Sequence, residues 1–555
     1  MWFNKKTLSD KQAIYKKAIE RHDLSKVRQI RNQMVLADLN KLREKFVNVR
    51  LHESREFQLS LGYFQQRYTF VWTEEFMINL LQTLQTGKKL SAAIPKDWFA
   101  IFQVNEISIN RLWSRIFWIA AQIRWILRSL IKSFIVALFV AFRRDLDDSS
   151  LDLPSKHLIY LHRFTEDSIP PIFPMRITFT LLDWLQKNML VPKIGTEFFF
   201  LHSVKNKTNN LKNGNMSSMI YWPIPVINTS IKVRTLIFPI LVKLLLESSN
   251  LLRGKSRQQM LLIDELLVAE VHKLQKTSDL LDAYVFTRSV GIKRPLWTYR
   301  VEELGKDVIY VNYSASDMPR IEMDNFSRQE EFQLSSWSRM NVIDQIQQNF
   351  YKTFSQEFLT IETVITGVPW LEDSGETISL PDSFILLFDY ENPNNHFGFS
   401  TANDCGYSDG VVNVRFLDIV FEALQAVAKV NGAEVVVVKK FKRELNLNIR
   451  WPIIKESENE RKTPAGLVYL PLRGNFPVEI LLQNATAVIS LPITTPGIAA
   501  KLSGIPSCYL DPLGKVDKTD FSLRNIPLFT LSRELVDWLV IHLPNKKESR
   551  SDFAS

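Results

Sequence analysis

The chain has 555 residues, 46% of them hydrophobic and 23% charged; that length predicts two or more domains, and that balance excludes a disordered chain. Two cysteines, Cys405 and Cys508, exclude a disulfide framework and a cysteine-based zinc or iron–sulfur site, and they fit a reducing compartment. A net charge of +10 leaves a nucleic acid, an anionic membrane or a phosphorylated ligand open as partners.

Residues 1–150 read as a helical N-terminal region. Met1 to Lys6 is charged, but Asp10, Lys11, Lys16, Lys17 and Glu20 interrupt any apolar run behind it, so a secretory signal is not expected. Residues from about 8 to 50 have the spacing of solvated, charged helix. Arg111 to Arg144 differs. At 100° per residue Arg124, Arg128 and Lys132 share one face, while Leu112, Ile116, Ile119, Ile123, Leu127, Leu130, Phe134, Ala137 and Leu138 gather opposite, with Trp113 near the start. A basic face opposite an apolar one is what a helix lying in a membrane interface requires. Two other readings stay open, a spanning helix over about 116–142 and a buried core helix. Spanning would place three cations in hydrocarbon at roughly 2.5–3.5 kcal/mol each. Burial must accommodate the seven basic side chains between Arg111 and Arg144. Val233–Leu246 is a second apolar stretch, in which Pro239 is expected to kink any helix.

From residue 151 to 370 short apolar runs alternate with helical stretches, which predicts a largely parallel sheet. Strands are expected at His157–Leu161, Phe198–Leu201, Met219–Trp222, Ala283–Phe286, Val308–Val311 and Val364–Trp370, helices at Ile177–Gln186 and Gln258–Lys273, and polar helix over Arg328–Phe358. Residues 371–382 are acidic and turn-rich, a linker. A second α/β unit follows over 383–530. Its expected strands are Phe384–Phe388, Glu434–Val438, Leu467–Leu470, Ala487–Leu491 and Ser507–Leu510; its expected helices are Phe416–Val430, Val478–Asn484 and a short one after Pro496. Residues 531–555 close the chain as a helix and tail. The fold class is α/β, with two Rossmann-like domains facing a cleft and ligands expected beyond the carboxyl ends of the strands.

Four stretches offer chemistry. After the Ala487–Leu491 strand, Pro492, Thr494, Thr495, Pro496 and Gly497 open a helix whose hydroxyls and amides suit a phosphate, and whose alternative reading is plain capping. Lys439, Lys440, Lys442 and Arg443 leave the end of the Glu434–Val438 strand, as a cationic cluster for a leaving diphosphate or as a solvated loop. Phe388–Tyr407 is a polar loop containing Asp389. Arg288, Arg294, Trp297 and Tyr299 follow the Ala283–Phe286 strand, where they either bind a sugar by stacking and hydrogen bonds or pack a helix start. There is no Walker A sequence, GxGxxG loop, GxSxG elbow or HExxH spacing, and no pattern supporting nucleic acid as a partner. Asp145–Asp148 reads as a helix end in preference to a metal site.

RPLWTYRVEELG (Arg294–Gly305), the VVKKFKR strand end and LPITTPGIAAKLSGIPSCYLDP (Leu491–Pro512) resemble bacterial surface-polysaccharide biosynthesis proteins named for a Pro-Phe-Thr-Ser motif. That group is similar to glycosyltransferases of the two-Rossmann-domain (GT-B) type. Pro492, Thr494 and Thr495 stand at the named motif, with Ile493 in place of Phe and Thr495 in place of Ser; Tyr509, Asp511 and Pro512 match the family's aromatic-x-Asp-Pro end, while Arg300 stands where an acid is common and Glu302 keeps the next one. The resemblance implies a glycosyltransferase; the basic helix Arg111–Arg144, which the resemblance does not cover, adds the expectation that it acts at the cytoplasmic face of the inner membrane. Taken with the four stretches above, it leads to the expectation of a nucleotide-sugar donor on Lys439, Lys442, Arg443, Pro492, Thr494, Thr495 and Gly497, and a glycan or lipid-linked acceptor near Arg288, Arg294, Trp297 and Tyr299. No metal or other cofactor is expected, since cations can offset the leaving charge. His162, Glu302, Glu372 and Asp389 remain alternatives for the base. A non-catalytic, membrane-associated glycan- or nucleotide-binding scaffold is the competing function.

Overall fold

The protein's structure is a computed structural model describing most of residues 23–142, together with 157–162, 198–202, 216–220, 231–250, most of 254–287, 293–312, 333–355, 361–367, 380–389, 410–440, 463–472, 478–543 and a few single positions. The expected helix over 177–186 and the Asp145–Asp148 run lie outside the described residues.

The N-terminal region is helical: α1 (Asp23–Lys45), α2 (Arg55–Val71), α3 (Glu74–Thr86) and the long α4 (Arg111–Phe142). Val27, Ile30 and Met34 of α1 form a small core with Phe76 to Leu81 of α3, Trp98 and Phe102. This core contains a charged knot. Arg67 lies 3.2 Å from buried Asp38 and 2.8 Å from Asp97, its guanidinium 4.1 Å from the Trp98 ring, and the Trp98 indole N–H donates to Asp38 at 3.2 Å. Burial pushes the Asp38 carboxyl up from 3.8 to about 6, against the lowering pull of Arg67 and Lys41. For Asp97, burial acts in the same sense but Arg67 and Lys41 outweigh it, and its carboxyl is held below the ordinary range. A raised folded-state value means that Asp38's contribution to stability is complete below about pH 4 and lost as pH rises to about 6. Asp97 acts oppositely, losing its contribution as pH falls through and below the ordinary carboxylate range. Asp38→Asn is therefore expected to remove the decline between pH 4 and 6 from a plot of denaturation midpoint against pH. An unchanged slope would contradict this account.

The first sheet has, among the described residues, seven strands: β1 (His157–His162), β2 (Phe198–His202), β3 (Met216–Ile220), β4 (Ala283–Thr287), β5 (Asp307–Val311), β6 (Arg339–Val342) and β7 (Glu362–Ile365). Their order is β3-β2-β1-β4-β5-β6-β7, and all neighbours run parallel. Between β3 and β4 the chain forms α5 (Ile231–Glu247), α6 (Gly254–Leu261) and α7 (Ile263–Leu274), and α8 (Trp297–Glu303) follows β4. α5 continues through Pro239 as one helix, and the single helix expected over 258–273 is broken at Leu262. Part of the polar stretch read as helix over 328–358 forms β6, and the helical part is α9 (Gln345–Ser355).

The second sheet has, among the described residues, six strands: β8 (Phe384–Phe388), β9 (Val435–Lys440), β10 (Leu467–Leu472), β11 (Ala485–Ser490), β12 (Ser507–Leu510) and the short β13 (Leu528–Phe529), in the order β10-β9-β8-β11-β12-β13, again parallel. α10 (Gly410–Asn431), α11 (Val478–Gln483), α12 (Thr495–Leu502) and α13 (Ser532–His542) accompany it, with α13 packed on α10. Every residue of β8 is buried, as expected of a central parallel strand covered on both faces. The two halves meet where Ile343 joins the second sheet's core and Asp344, which accepts the Gln347 amide at the start of α9, pairs with Arg524.

α4 resolves part of the question its sequence raised. Ser114, Trp118, Gln122, Trp125, Ser129, Ser133 and Val140 face the protein body, and Ser129 and Lys132 engage Asp264 of α7. The apolar face points outward, with Leu112 67% and Phe142 79% exposed. A buried core helix is excluded: this helix is docked along one face, where serines and Gln122 alternate with Trp118, Trp125, Val136 and Val140, and its other, apolar face is exposed. Of the apolar face read from the sequence, Ala137 alone is fully buried and Leu130 is half-buried.

Candidate functional site at the carboxyl edge of the second sheet

In both sheets the strand order reverses direction between two neighbours, β1 and β4 in the first and β8 and β11 in the second. Connections leave such a pair toward opposite sides and open a crevice at its carboxyl end. His162 is the last residue of β1, at the first crevice. Phe388 and Ser490, paired in register, are the last residues of β8 and β11 at the second.

At that second crevice Asp389 follows β8, and its Oδ2 lies 2.7 Å from Lys439 Nζ of β9, both side chains almost wholly buried. This corrects two expectations at once. Lys439 is consumed by a buried counter-ion and is not an open cation for a diphosphate, and Asp389 as a base would have to act from within an ion pair. Lys442, Arg443, Glu372 and Arg288 lie outside the described residues.

Pro492, Ile493 and Thr494 turn the chain from β11 into α12, with Ile493 in left-handed backbone (φ 58°). Thr494 is the N-cap: its hydroxyl accepts the Gly497 amide at 3.3 Å, and Pro496 fits the first turn because it has no amide to satisfy. The capping reading therefore describes Thr494, whose oxygen and the Gly497 N–H are already bonded to each other. Gly497 is required for a different reason from ligand access. A Cβ there would stand 2.7 Å from Ser490 Oγ and 2.8 Å from the Tyr509 ring, so its bareness lets α12 press onto β11 and β12. Thr494 and Thr495 are both buried.

The neighbouring loop after β12 carries a lysine, Lys515, that sequence reading passed over. Asp511 is fully buried, and its carboxylate accepts the amides of Leu513, Gly514 and Val516, each at 2.9 Å, which fixes the turn. Held in that turn, Lys515 is only 8% exposed, and its Nζ has no hydrogen-bond partner among the described residues. A buried ammonium without a counter-ion is costly, and such an exception calls for an explanation, of which a bound anion is one. Ser490 Oγ, at the end of β11, is likewise buried without a hydrogen-bond partner among the described residues. The only signal in the sequence was a lysine just past an Asp-Pro at a buried strand end. Cys508 of β12 is fully enclosed and its thiol is pushed up by burial, which leaves it no nucleophilic role.

The aromatic and basic residues expected to receive an acceptor belong to the core of the first half. Trp297 stacks on His272 (centroids 5.0 Å apart, planes at 9°) among Tyr160, Tyr284 and Phe286. Tyr299 is buried beneath Arg294 and donates its hydroxyl to Ser336 at 2.7 Å. Arg294 is fully buried against Glu302 at 2.5 Å. None of these three presents a face to a sugar, and the Glu302 carboxylate is bound by Arg294 and Ser338. Arg300 pairs with Glu303 at 2.7 Å near the surface. Among the described residues no cluster of three or more His, Cys, Asp or Glu side chains is placed to hold a metal ion.

Residues 240–539, more than half of the chain, match the family model described as polysaccharide biosynthesis PFTS motif protein. The protein belongs to this family. The matched region takes in the C-terminal part of α5, the first sheet from β4 onward and the whole second sheet, including the Pro492–Gly497 turn and the Lys515 loop; α4 lies outside it. Comparison with curated proteins gives no match. Among solved structures the fold is similar to UDP-GlcNAc 2-epimerase from Methanocaldococcus jannaschii (11% identity, 70% of this chain and 93% of that one, TM-score 0.35). It is also similar to Arabidopsis thaliana UGT89C1 (13% identity, 70% and 91%, TM-score 0.35) and to the glycotransferase of kitacinnamycin (9% identity, 72% and 93%, TM-score 0.34).

Proposed function

We propose that this PFTS-family protein is a glycosyltransferase of bacterial surface-polysaccharide assembly, transferring a sugar from a nucleotide-sugar donor to a glycan or lipid-linked acceptor. The observation that carries this reading is the buried, unpartnered Lys515 ammonium on the loop beside the α12 turn, at the carboxyl edge where a doubly wound sheet receives its ligand. In this reading the second half holds the donor diphosphate, with Lys515 as its counter-ion and Thr495 at the start of α12. As the glycosidic bond to the donor phosphate breaks, negative charge grows on the departing diphosphate. A pre-placed ammonium in a water-poor site stabilises that charge without reorganisation. His162, at the end of β1 in the facing half, is the base candidate best placed by topology to take the acceptor hydroxyl's proton. A non-catalytic binding role is the second reading, favoured by the Lys439–Asp389 pair being closed on itself.

Thermal shift of the full chain against nucleoside diphosphates and nucleotide sugars tests both. A matching ligand at 100 times its Kd is expected to add about 2.7 kcal/mol of stability. Lys515→Met is expected to abolish that response while leaving the unliganded protein at least as stable, because it removes an unpaired buried charge. A variant that still responds fully would remove Lys515 from the site, and a wild-type response without donor turnover would select the binding role.

A further inference from the structure

We propose that α4 and α5 together form a platform on which the protein lies against an anionic bilayer, with the α4 axis in the membrane plane. Soluble helices turn apolar residues inward and polar ones outward; α4 buries Trp118, Trp125, Val136 and Val140 as expected, yet its outward face is apolar as well. Ser114, Gln122, Ser129 and Ser133 pack inward, while Ile116, Ile123, Leu127 and Phe134 stand out among the exposed residues. α5 packs beside α4 and extends the surface: Ile231 is 78% and Leu246 69% exposed, with Val242 between them. Among the described residues, fifteen of the twenty-five exposed large apolar side chains lie on these two helices. An apolar surface of that extent marks a place where something else docks.

Charge identifies the occupant. The 32 residues of α4 include five basic side chains and no acidic one. Arg124 and Arg128 are exposed beside the apolar ridge, where they would meet lipid phosphates while the ridge enters the headgroup boundary. Lys232 and Arg234 add positive charge on α5, where Lys243 is paired with Glu247 at 3.8 Å. The geometry also fixes orientation. At about 1.5 Å per residue α4 is long enough to cross a bilayer, but its inward face is engaged from Ser114 to Val140 by the body of the protein. Spanning would carry α5 and α7, packed on it, into hydrocarbon along with Lys132 and Asp264. The surface binds lipid whether or not the donor reading holds, so the test reads binding alone.

Full-length protein is floated with vesicles of phosphatidylcholine alone and with 30% phosphatidylglycerol (about that fraction) at low and high salt. Binding is expected to be at least about tenfold stronger on the anionic vesicles and to weaken with salt. Ile123→Glu with Leu127→Glu is expected to lose binding to both, with an unchanged melting temperature because both sites are exposed. Arg124→Glu with Arg128→Glu is expected to lose only the anionic preference. Retained flotation of the Ile123/Leu127 variant overturns the proposal, as does a wild type that ignores vesicles but self-associates through this ridge. Carbonate-resistant retention of the wild type in membranes would overturn the in-plane orientation.

Discussion

Lys439→Met is expected to lower the stability of the second half by about 3–5 kcal/mol, read as a shift in the midpoint of chemical denaturation. The size follows from where the partner is left. Asp389 and Lys439 sit 2.7 Å apart with side chains 5% and 1% exposed. Removing the ammonium strands a carboxylate in a region with little water. Asp389→Asn should cost a comparable amount for the mirror-image reason. Changing both, as Lys439→Met with Asp389→Leu, is expected to recover most of the loss, since apolar side chains of similar volume need no desolvation of charge. The double variant also separates architecture from chemistry. If it is stable and still responds to the ligand that shifts the wild type, the pair serves the sheet; if it is stable and unresponsive, the pair touches the donor. A double variant as unstable as either single one would contradict the ion-pair account.

Arg294→Met is expected to be as damaging to the first half, about 3–5 kcal/mol, and Arg294→Lys to recover only a minor part. The guanidinium is fully buried. It pairs with Glu302 at 2.5 Å, donates from Nε to Thr298 at 2.8 Å and from Nη1 to the Ser336 carbonyl at 2.7 Å, and lies 4.2 Å over the Tyr299 ring. A lysine has one ammonium for this fan of acceptors and no planar face for the ring. The network extends into the helical region, where Gln65 of α2 donates to the Leu334 carbonyl at 2.7 Å. Loss at Arg294 should therefore appear also in the melting of the N-terminal helices. A surface-like effect below about 0.5 kcal/mol would show that the network is not closed as described.

The alternation of strand and helix in both halves was legible because a central parallel strand is an apolar run with little else in it: FILLF is β8 and AYVFT is β4. Short strands with polar residues were not legible. β6 reads Arg-Met-Asn-Val inside a polar stretch, and its pairing with β5 and β7 comes from residues tens of positions away. For the candidate site, the Pro492–Gly497 turn was correctly placed at a strand end, but the sequence could not say that Thr494 spends its hydroxyl on Gly497 or that Ser490 and Tyr509 sit against that glycine. RPLWTYR has the composition of a sugar-stacking surface and of a packed helix start alike. Burial by Tyr160 and His272, distant in sequence, decided between them. Lys515 carried no spacing signal, because its character comes from lacking a partner.

α4 contributes Trp118 to the small helical core and Trp125, Val136, Ala137 and Val140 to the core of the first sheet. One rigid rod thus belongs to two hydrophobic interiors, and neither can melt without unseating it from the other. The first 142 residues are not a detachable appendage. A chain begun at residue 143 would strip a wall from the first sheet's interior, and heating should show helices and first sheet lost in a single cooperative step.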